Sequence, residues 1–357
     1  MKVIDLFCGC GGLSEGFEDA GFNIVCGNDV DKNMVESFKL NHPNAKAILG
    51  DITKIPSEEL LNNNKKEDIT LIIGGPPCQG FSSVGDRKEE DPRNKLFYEF
   101  VRVVKDIKPK IFVLENVTGI LTMQGGKVKE IIKQEFEKLG YNVTIKILNA
   151  EEYGVPQKRR RVFFVGNLFG KEFEFPKVEF DGINKPFRTV WETIGDLPQI
   201  DSGKESKEYL EEPKTDFQKL LRNGQKELLY HSSPNHSEIM IKRMENIKQG
   251  QNHSNLPKEL KLNKGYPNIY GRLIADEPSD TITGNCGCIS APGRFIHPLK
   301  HRAITVREAS RLQSFRDNKI FVGNQNSKYK QVGNAVPPLL AKALALRIKD
   351  FLSENTR

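Results

Sequence analysis

Leu71-Ile-Ile-Gly-Gly-Pro-Pro-Cys-Gln-Gly-Phe-Ser-Ser83 decides how this chain is read. Its approach, the apolar run Ile69 to Ile73, has the length and composition of a buried strand. Two glycines and two prolines stop that strand, and Cys78 follows at once. In an α/β sheet, ligands and chemistry gather just beyond the carboxyl ends of the strands. Most free cysteines are small buried hydrophobes. Pro76 and Pro77, however, fix the backbone and remove donors, so this thiol reads as held at a rigid corner. A polar segment, Gln79 to Asn94, comes next.

Upstream, a strand from Lys2 to Phe7 runs into Cys8-Gly-Cys-Gly-Gly12, and an amphipathic helix is predicted from Leu13 to Ala20. Strand, glycine loop and helix form the layout in which backbone N–H groups approach a nucleotide closely. A second strand, Asn23 to Gly27, ends at Asn28-Asp29. Asp29 lies 20 residues beyond Gly9, close to the spacing of an acid that binds ribose hydroxyls. A third strand, Lys46 to Leu49, ends at Gly50-Asp51. The glycines follow neither the G-x-G-x-x-G of dehydrogenases nor a P-loop, so an adenosyl ligand without a pyrophosphate cradle fits better.

Downstream, Leu96 to Asp106 reads as a helix with Phe97, Phe100, Val101 and Val104 on one face. Pro109 introduces a strand, Lys110 to Leu114, that ends at Glu115-Asn116. Alone, Glu115 reads equally well as a surface residue. Beside Cys78 on the neighbouring strand, it makes a thiol and a carboxyl group able to work on one heterocycle. A helix from Lys127 to Leu139 and strands Tyr141 to Leu148 and Val162 to Gly166 follow. The four basic residues Lys158 to Arg161 before the last strand are either a solvated charge run or phosphate-facing.

From Lys171 to Lys264 apolar periodicity is poor, with short helices near Gln218–Leu221 and Glu238–Ile247. Between Lys242 and Arg272 seven Lys/Arg face two Asp/Glu. Lys242, Arg243, Lys248, Gln249, Gln251, Asn252 and Arg272 are candidates to read base edges or touch phosphate, the alternative being a partly disordered linker. Helical order returns near Val306–Phe315, and Gln331-Val-Gly-Asn-Ala-Val-Pro-Pro338 leads into a last helix, Leu339 to Leu352.

The 357 residues have room for one large domain and a smaller one, and a net charge of +7 fits a polyanionic partner. Six cysteines in so long a chain do not make a secreted disulfide framework. The pairs Cys8/Cys10 and Cys286/Cys288 lack histidines at ligand spacing, so no metal is expected. Asp5 interrupts the opening apolar run, against a signal peptide, and no stretch has the composition of a membrane span. The expectation is a soluble, reduced, cytoplasmic protein with no membrane partner.

Taken together, Asp5-Leu-Phe-Cys-Gly-Cys-Gly-Gly12, Gly75-Pro-Pro-Cys-Gln79, Glu115-Asn-Val117, Gln157-Lys-Arg-Arg-Arg161 and Gly333-Asn-Ala-Val336 resemble, in order, the motifs of the bacterial C5-cytosine DNA methyltransferases that partner restriction enzymes. The resemblance covers nearly the whole chain. It implies S-adenosyl-L-methionine as methyl donor and a flipped cytosine in double-stranded DNA as acceptor. It also implies a monomer and functional pairing with a cognate restriction endonuclease. By resemblance Cys78 is the nucleophile at carbon 6, Glu115 serves N3 of the ring with Asn116 beside it, and Arg161, with Arg159 behind it, holds the cytosine O2 and a flanking phosphate. For the cofactor, the resemblance places Phe7 against the adenosyl group, with Gly9, Gly11, Gly12 and Leu13 lining the loop. Asp29 would bind the ribose hydroxyls and Asp51 the adenine amino group, with Ile52 next to it. Val30 stands where some members carry a Trp that stacks on adenine. Gly75, Pro77, Leu96, Asn334 and Val336 would complete the pocket.

The fold this implies is α/β, a mostly parallel, doubly wound sheet of the Rossmann-like methyltransferase kind. It would span 1–170 and 328–357, with a smaller target-recognition domain, 171–327, inserted and the DNA cleft between them. A tRNA cytosine-5 methyltransferase shares the motifs, but the Cys-Phe-Thr triplet usual in that subfamily is absent. A catalytically inactive DNA-binding homologue is opposed by the intact Cys78 and Glu115, and a nicotinamide oxidoreductase by the glycine pattern.

Overall fold

The computed structural model describes residues 1–77, 95–262, 269–288 and 295–355; Cys78 and the segment Gln79 to Asn94 lie outside the described residues. In chain order the elements are β1 (Lys2–Leu6), α1 (Gly12–Asp19), β2 (Asn23–Asp29), α2 (Lys32–Asn41), β3 (Lys46–Leu49), α3 (Ser57–Leu60), β4 (Ile69–Gly74), α4 (Lys95–Ile107), β5 (Ile111–Val117), α5 (Lys127–Glu137), β6 (Asn142–Asn149), β7 (Gln157–Lys158), β8 (Arg160–Asn167), α6 (Val190–Ile194), α7 (Asp216–Arg222), α8 (Glu238–Glu245), β9 (Ser279–Asp280), α9 (Val306–Leu312), α10 (Gln325–Asn334) and α11 (Pro338–Asn355). Contacts divide the chain into two compact units. One holds Met1–Asn149, Arg160–Lys177 and Leu340–Arg357; the other holds Ala150–Arg159 and Val178–Leu339.

The first unit is built on a seven-stranded sheet in the order β3-β2-β1-β4-β5-β8-β6. The first five strands are parallel, and β8 runs antiparallel to both β5 and β6. The strand order reverses between β1 and β4, and in open α/β sheets ligands bind outside the carboxyl ends at such a switch point. The glycine loop Cys8–Gly12 follows one of these two strands, and Gly75-Pro76-Pro77 follows the other.

Both faces of the sheet are covered, as a parallel sheet requires. Phe112 and Leu114, two apart on β5 and so on one face, share a core with Ile72 of β4, Ile4 and Leu6 of β1, and Val162 and Phe164 of β8. Helix α4 closes that face with Phe97, Phe100 and Val104, spaced i, i+3, i+7, and α5 adds Ile132 and Phe136. Phe136 stacks on Phe112 with ring centroids 3.8 Å apart. Each such ring contributes about 1.5–3 kcal/mol through burial, and truncating Phe100 to Ala would cost about 3–5 kcal/mol. Ile111, Val113 and Val165 are equally buried on the opposite face. Helix α11, opened by a proline suited to a helix start, brings the chain's end back here. Its Lys349 Nζ donates to the Ala20 carbonyl at the end of α1, at 3.0 Å.

Strand β5 is longer than the sequence pattern indicates. It continues through Glu115 and Asn116 to Val117, because β8 pairs with it there, Glu115 facing Phe163 and Val117 facing Arg161.

The second unit has a partly ionic interior. Arg302 makes a two-pronged pair with Glu308, at 2.8 and 2.7 Å, and Arg307 and Arg311 both bind Asp317. All five side chains are fully buried. Glu308 also completes a capping box with Thr305 at the start of α9. The stretch suspected of being a linker is packed where it is described. Met244, Ile247, Leu256, Leu260, Ile269 and Tyr270 form one apolar cluster, while residues 263–268 lie outside the described residues.

Candidate active site

The glycine loop after β1 is shaped by backbone handedness. Phe7, Gly9 and Gly11 have φ of 59°, 56° and 92°. The two glycines take this region without strain, and Phe7, half-buried against the core, ends β1 one residue short of the expected strand. Gly9 N–H donates to Asp29 Oδ2 at 3.0 Å, so the loop is tied to the end of β2. The other oxygen of Asp29 accepts from Asp31 N–H at 2.9 Å. Burial holds the Asp29 carboxyl above the usual carboxylate range, against these N–H groups, which lower it.

Gly11 is the N-cap of α1, and a Cβ there would collide with the His42 ring. His42, at the end of α2, is itself held by Glu18 at 2.7 Å. Gly12 and Leu13 open α1 and are buried. Beneath the loop, Ser14 Oγ donates to Asp5 Oδ2 at 2.7 Å, and burial pushes the Asp5 carboxyl up to about 7.

On the same sheet edge, Val30 is exposed. Asp51 caps a short 3-10 turn, Ile52–Lys54, by accepting from Thr53 N–H at 3.0 Å, and this bond holds its carboxyl below the usual range. Ile52 is buried. Leu96, near the start of α4, is half-buried against the core. The carboxyl ends of β1, β2 and β3 thus bring the glycine loop, Asp29 and Asp51 to one edge, where the two carboxylates could accept from a ligand's hydroxyl and amino groups.

The second half of the site lies at the ends of β4 and β5. Asn116 Nδ2 donates to the Pro76 carbonyl at 2.9 Å, and its Oδ1 accepts from Val117 N–H. The turn that leads to Cys78 is therefore fastened to β5 two residues before the thiol. A Cβ on Gly75 would stand 2.8 Å from Glu115 Oε2, so a side chain there would push that carboxylate aside. On β8, Arg161 Nε meets Glu115 Oε1 at 2.8 Å, and its Nη1 donates to the Arg160 carbonyl. Glu115, Asn116 and Arg161 thus converge on the backbone that precedes Cys78; Pro77 is exposed, and Cys78 itself lies outside the described residues. Among the described cysteines, burial raises the thiols of Cys8, Cys26 and Cys286, that of Cys26 to about 12. Such thiols stay protonated and unreactive at neutral pH.

Arg159 differs from the expectation of a guanidinium standing behind Arg161. It belongs to the second unit and is fully buried. Its Nη1 donates to the Ile282 carbonyl at 2.9 Å, and its Nη2 to those of Gly333 and Ala335 at 2.9 and 3.0 Å. Gln313 Nε2 binds the Val332 and Ala335 carbonyls, and Gln157 Nε2 binds Gln313 Oε1. A buried fork with three carbonyls on it anchors backbone. The backbone anchored here is the Gly333–Val336 stretch, with Asn334 exposed and Val336 buried. Of the remaining basic run, Lys158 pairs with Glu277 at 2.7 Å.

Arg272 is a correction to the candidate base readers. It is buried, and its guanidinium donates to the carbonyls of Met244, Ile247, His297 and Lys300, so no edge remains for a base. Arg243 is also engaged, its Nε donating to the Leu260 carbonyl at 2.9 Å. The pattern of charges gave no sign of this, nor of the contacts made by His42 and Gln313. Each depends on which distant carbonyl or loop the fold brings near.

No helix among the described residues is long and apolar enough to cross a membrane. The sequence profile described as C-5 cytosine-specific DNA methylase matches residues 1–350. The type II methyltransferase M.DdeI of Desulfomicrobium norvegicum is 40% identical over 375 residues, covering 98% of this chain and 88% of that protein. The type II methyltransferase M1.HphI of Haemophilus parahaemolyticus is 37% identical over 348 residues, covering 97% and 86%. A crystal structure described as a DNA modification methyltransferase encoded within an E. coli prophage superposes with a TM-score of 0.80 at 26% identity, over 99% of each chain. With matching motifs, fold and full-length relatives, this chain belongs to the C-5 cytosine-specific DNA methylases and is a DNA cytosine-5 methyltransferase of the type II modification kind.

Proposed function

We propose that the protein methylates carbon 5 of a cytosine flipped out of a specific double-stranded DNA sequence, through a covalent adduct between Cys78 and carbon 6. The observation that carries this reading is the convergence of Glu115, Asn116 and Arg161 on the turn before Cys78.

Carbon 5 of cytosine is a poor nucleophile until a thiolate adds to carbon 6 and turns the ring into an enamine. Addition places negative charge on the ring, at N3 and O2. Glu115 supplies the proton or hydrogen bond at N3. Arg161, on the other side of that carboxylate, faces O2 and favours the thiolate by its charge. Asn116 keeps the Pro76 carbonyl, and with it the backbone leading to the nucleophile, in one place. Once carbon 5 carries the methyl group, its proton passes to water, the carbon 5–carbon 6 double bond re-forms, and Cys78 leaves as the thiolate.

The cofactor is S-adenosyl-L-methionine, which when bound supplies the methyl group. Its residues are Phe7, the loop Gly9 to Leu13, Asp29 for the ribose hydroxyls, Asp51 with Val30 and Ile52 for adenine, and Gly75, Pro77 and Leu96. The open backbone over Gly9 and the half-buried, doubly hydrogen-bonded Asp29 suit that ligand. Asn334 and Val336 are assigned to the same ligand, and Arg159 acts by fixing their backbone. Residues 1–170 and 328–357 carry the catalytic role, and 171–327 choose the target. The protein acts as a cytoplasmic monomer beside a cognate restriction endonuclease.

The deciding experiment uses duplex DNA bearing 5-fluorocytosine at the site found by bisulfite sequencing. Carbon 5 then has no proton to lose, so the wild type becomes trapped and Cys78→Ser does not. An adduct that persists in Cys78→Ser removes this nucleophile. Methyl transfer to tRNA with none to DNA removes the substrate.

A further inference from the structure

Arg102 lies on α4, away from every motif named above. A guanidinium has five N–H donors in a fixed fork. Here Nε donates to Glu99 Oε2 at 2.6 Å and Nη1 to Ser57 Oγ at 2.9 Å, with Asp106 Oδ2 an ion-pair partner at 3.6 Å. Nη2 donates to two carbonyls, those of Ile52 at 3.0 Å and Ile55 at 3.1 Å. Ser57 Oγ in turn donates to Asp106 Oδ2 at 2.7 Å, which closes the ring of partners.

Those two carbonyls belong to the 3-10 turn Ile52–Lys54 and its C-cap, Ile55. The Ile52 carbonyl also accepts from Ile55 N–H within the turn, at 3.3 Å, so Arg102 takes its second lone pair; the Ile55 carbonyl lies just past the turn's end, where a cation is favoured. The opposite end is capped by Asp51 through Thr53 N–H. A three-residue turn has little stability of its own. It is gripped by one carboxylate and one guanidinium, and the carboxylate is the group assigned to the adenine amino group. Glu99 and Asp106 hold the fork square to α4, the helix that follows the Cys78 segment in the chain and carries Leu96 at its start.

We propose that Arg102 is a positioning residue for adenine selection, fixing the Asp51–Ile52 backbone from α4 so that the cofactor's base is recognised by its amino group. This rests on the reading of Asp51 given above. Removing Arg102 frees the turn to shift, and the distinction between an amino group and an oxygen on the purine is lost before binding as such is lost. Lysine cannot replace it, because a single ammonium cannot reach two carbonyls, a hydroxyl and a carboxylate in one plane.

The test is calorimetric titration of the full chain with S-adenosyl-L-homocysteine and with its deaminated counterpart, S-inosyl-L-homocysteine. The wild type is expected to prefer the adenosyl ligand by ~10–100-fold, as sites built around a polar group do. Arg102→Lys and Arg102→Gln should narrow that preference to within about threefold. Thermal melting without ligand checks that each variant is folded, and the lysine variant, which keeps the charge between Glu99 and Asp106, serves if the glutamine variant is not. A preference is a ratio within one protein, so general destabilisation weakens both affinities and leaves it unchanged. Folded variants that lose both ligands by the same factor overturn the proposal. A wild type without preference overturns the adenine role of Asp51 instead, and this proposal with it.

Discussion

Arg161 Nε and Glu115 Oε1 are 2.8 Å apart, on strands that run antiparallel, with Gly75 beneath the second carboxylate oxygen. The two side chains form one ion pair, each setting the direction of the other, and on the proposed reading they act together. Glu115→Gln and Arg161→Lys should each slow single-turnover methylation by ~10²–10⁴-fold, the range for a positioned acid or base. The double variant should be little worse than the poorer single one. Fully additive losses in that cycle would mean the two side chains act separately.

On the proposed reading, Asn116 positions Cys78 by holding the Pro76 carbonyl two residues before it. Asn116→Asp has the same shape but turns an oxygen toward the Pro76 carbonyl in place of the donor. The rate of adduct formation with 5-fluorocytosine DNA should fall in line with ~1–3 kcal/mol, the cost of leaving a buried polar group unpaired. Affinity for S-adenosyl-L-homocysteine should hold. Unchanged trapping kinetics would leave Asn116 as a strand residue only.

Asp29→Ala strips the acceptor from Gly9 N–H and, on the proposed reading, from the ribose hydroxyls. Cofactor binding is expected to weaken by ~1–3 kcal/mol. DNA affinity measured without cofactor should stay within error. If the cofactor dissociation constant does not change, Asp29 merely closes a turn.

The Asp5 carboxyl gives a pH signature. Its ordinary value is 3.8, and burial raises it to about 7 in the folded chain. The folded state therefore keeps this proton where the unfolded state has released it, so stability falls as pH rises from about 4 to 7 and levels off above. The slope from this group is at most about 1.4 kcal/mol per pH unit. Asp5→Asn cannot titrate, yet its oxygen still accepts from Ser14. The difference between its denaturant-derived stability and that of the wild type should grow across that window. A flat difference would show that the carboxyl is ionised throughout.

Part of the first unit was legible because several of its strands are short apolar runs that end near a glycine or an acid. Ile69 to Ile73, Asn23 to Gly27 and Lys46 to Leu49 were recognisable for that reason, within a residue or two of β4, β2 and β3. Helix α2 was missed, although Asp31 caps it and Met34, Val35 and Phe38 line its buried face. The second unit was obscure because part of its interior is arginine paired with Asp or Glu, and a hydrophobic pattern reads such residues as surface. In the site, Glu115, Asn116 and Arg161 came from their motifs. Arg159 and Arg161 look alike in sequence, two residues apart, but the chain passes from one unit to the other between Arg159 and Arg160. Only the pairing of β7 with β9, and of β8 with β5 and β6, separates the buried backbone anchor Arg159 from Arg161, which pairs with Glu115.

Gly9 and Gly11 share a left-handed backbone, yet different pressures keep them glycine. Behind Gly11 stands the His42 ring, so the interior of the protein polices that position. Over Gly9, the described residue within reach of an added Cβ is Met34, whose sulfur is 3.9 Å away; the remaining space is what the cofactor would fill. Asparagine, which tolerates this handedness, should therefore be accepted at position 9 by the fold and refused by the ligand, and at position 11 refused by the fold itself. In a library screened once for soluble expression and once for retention on an S-adenosyl-L-homocysteine resin, position 11 should be depleted at the first step and position 9 only at the second.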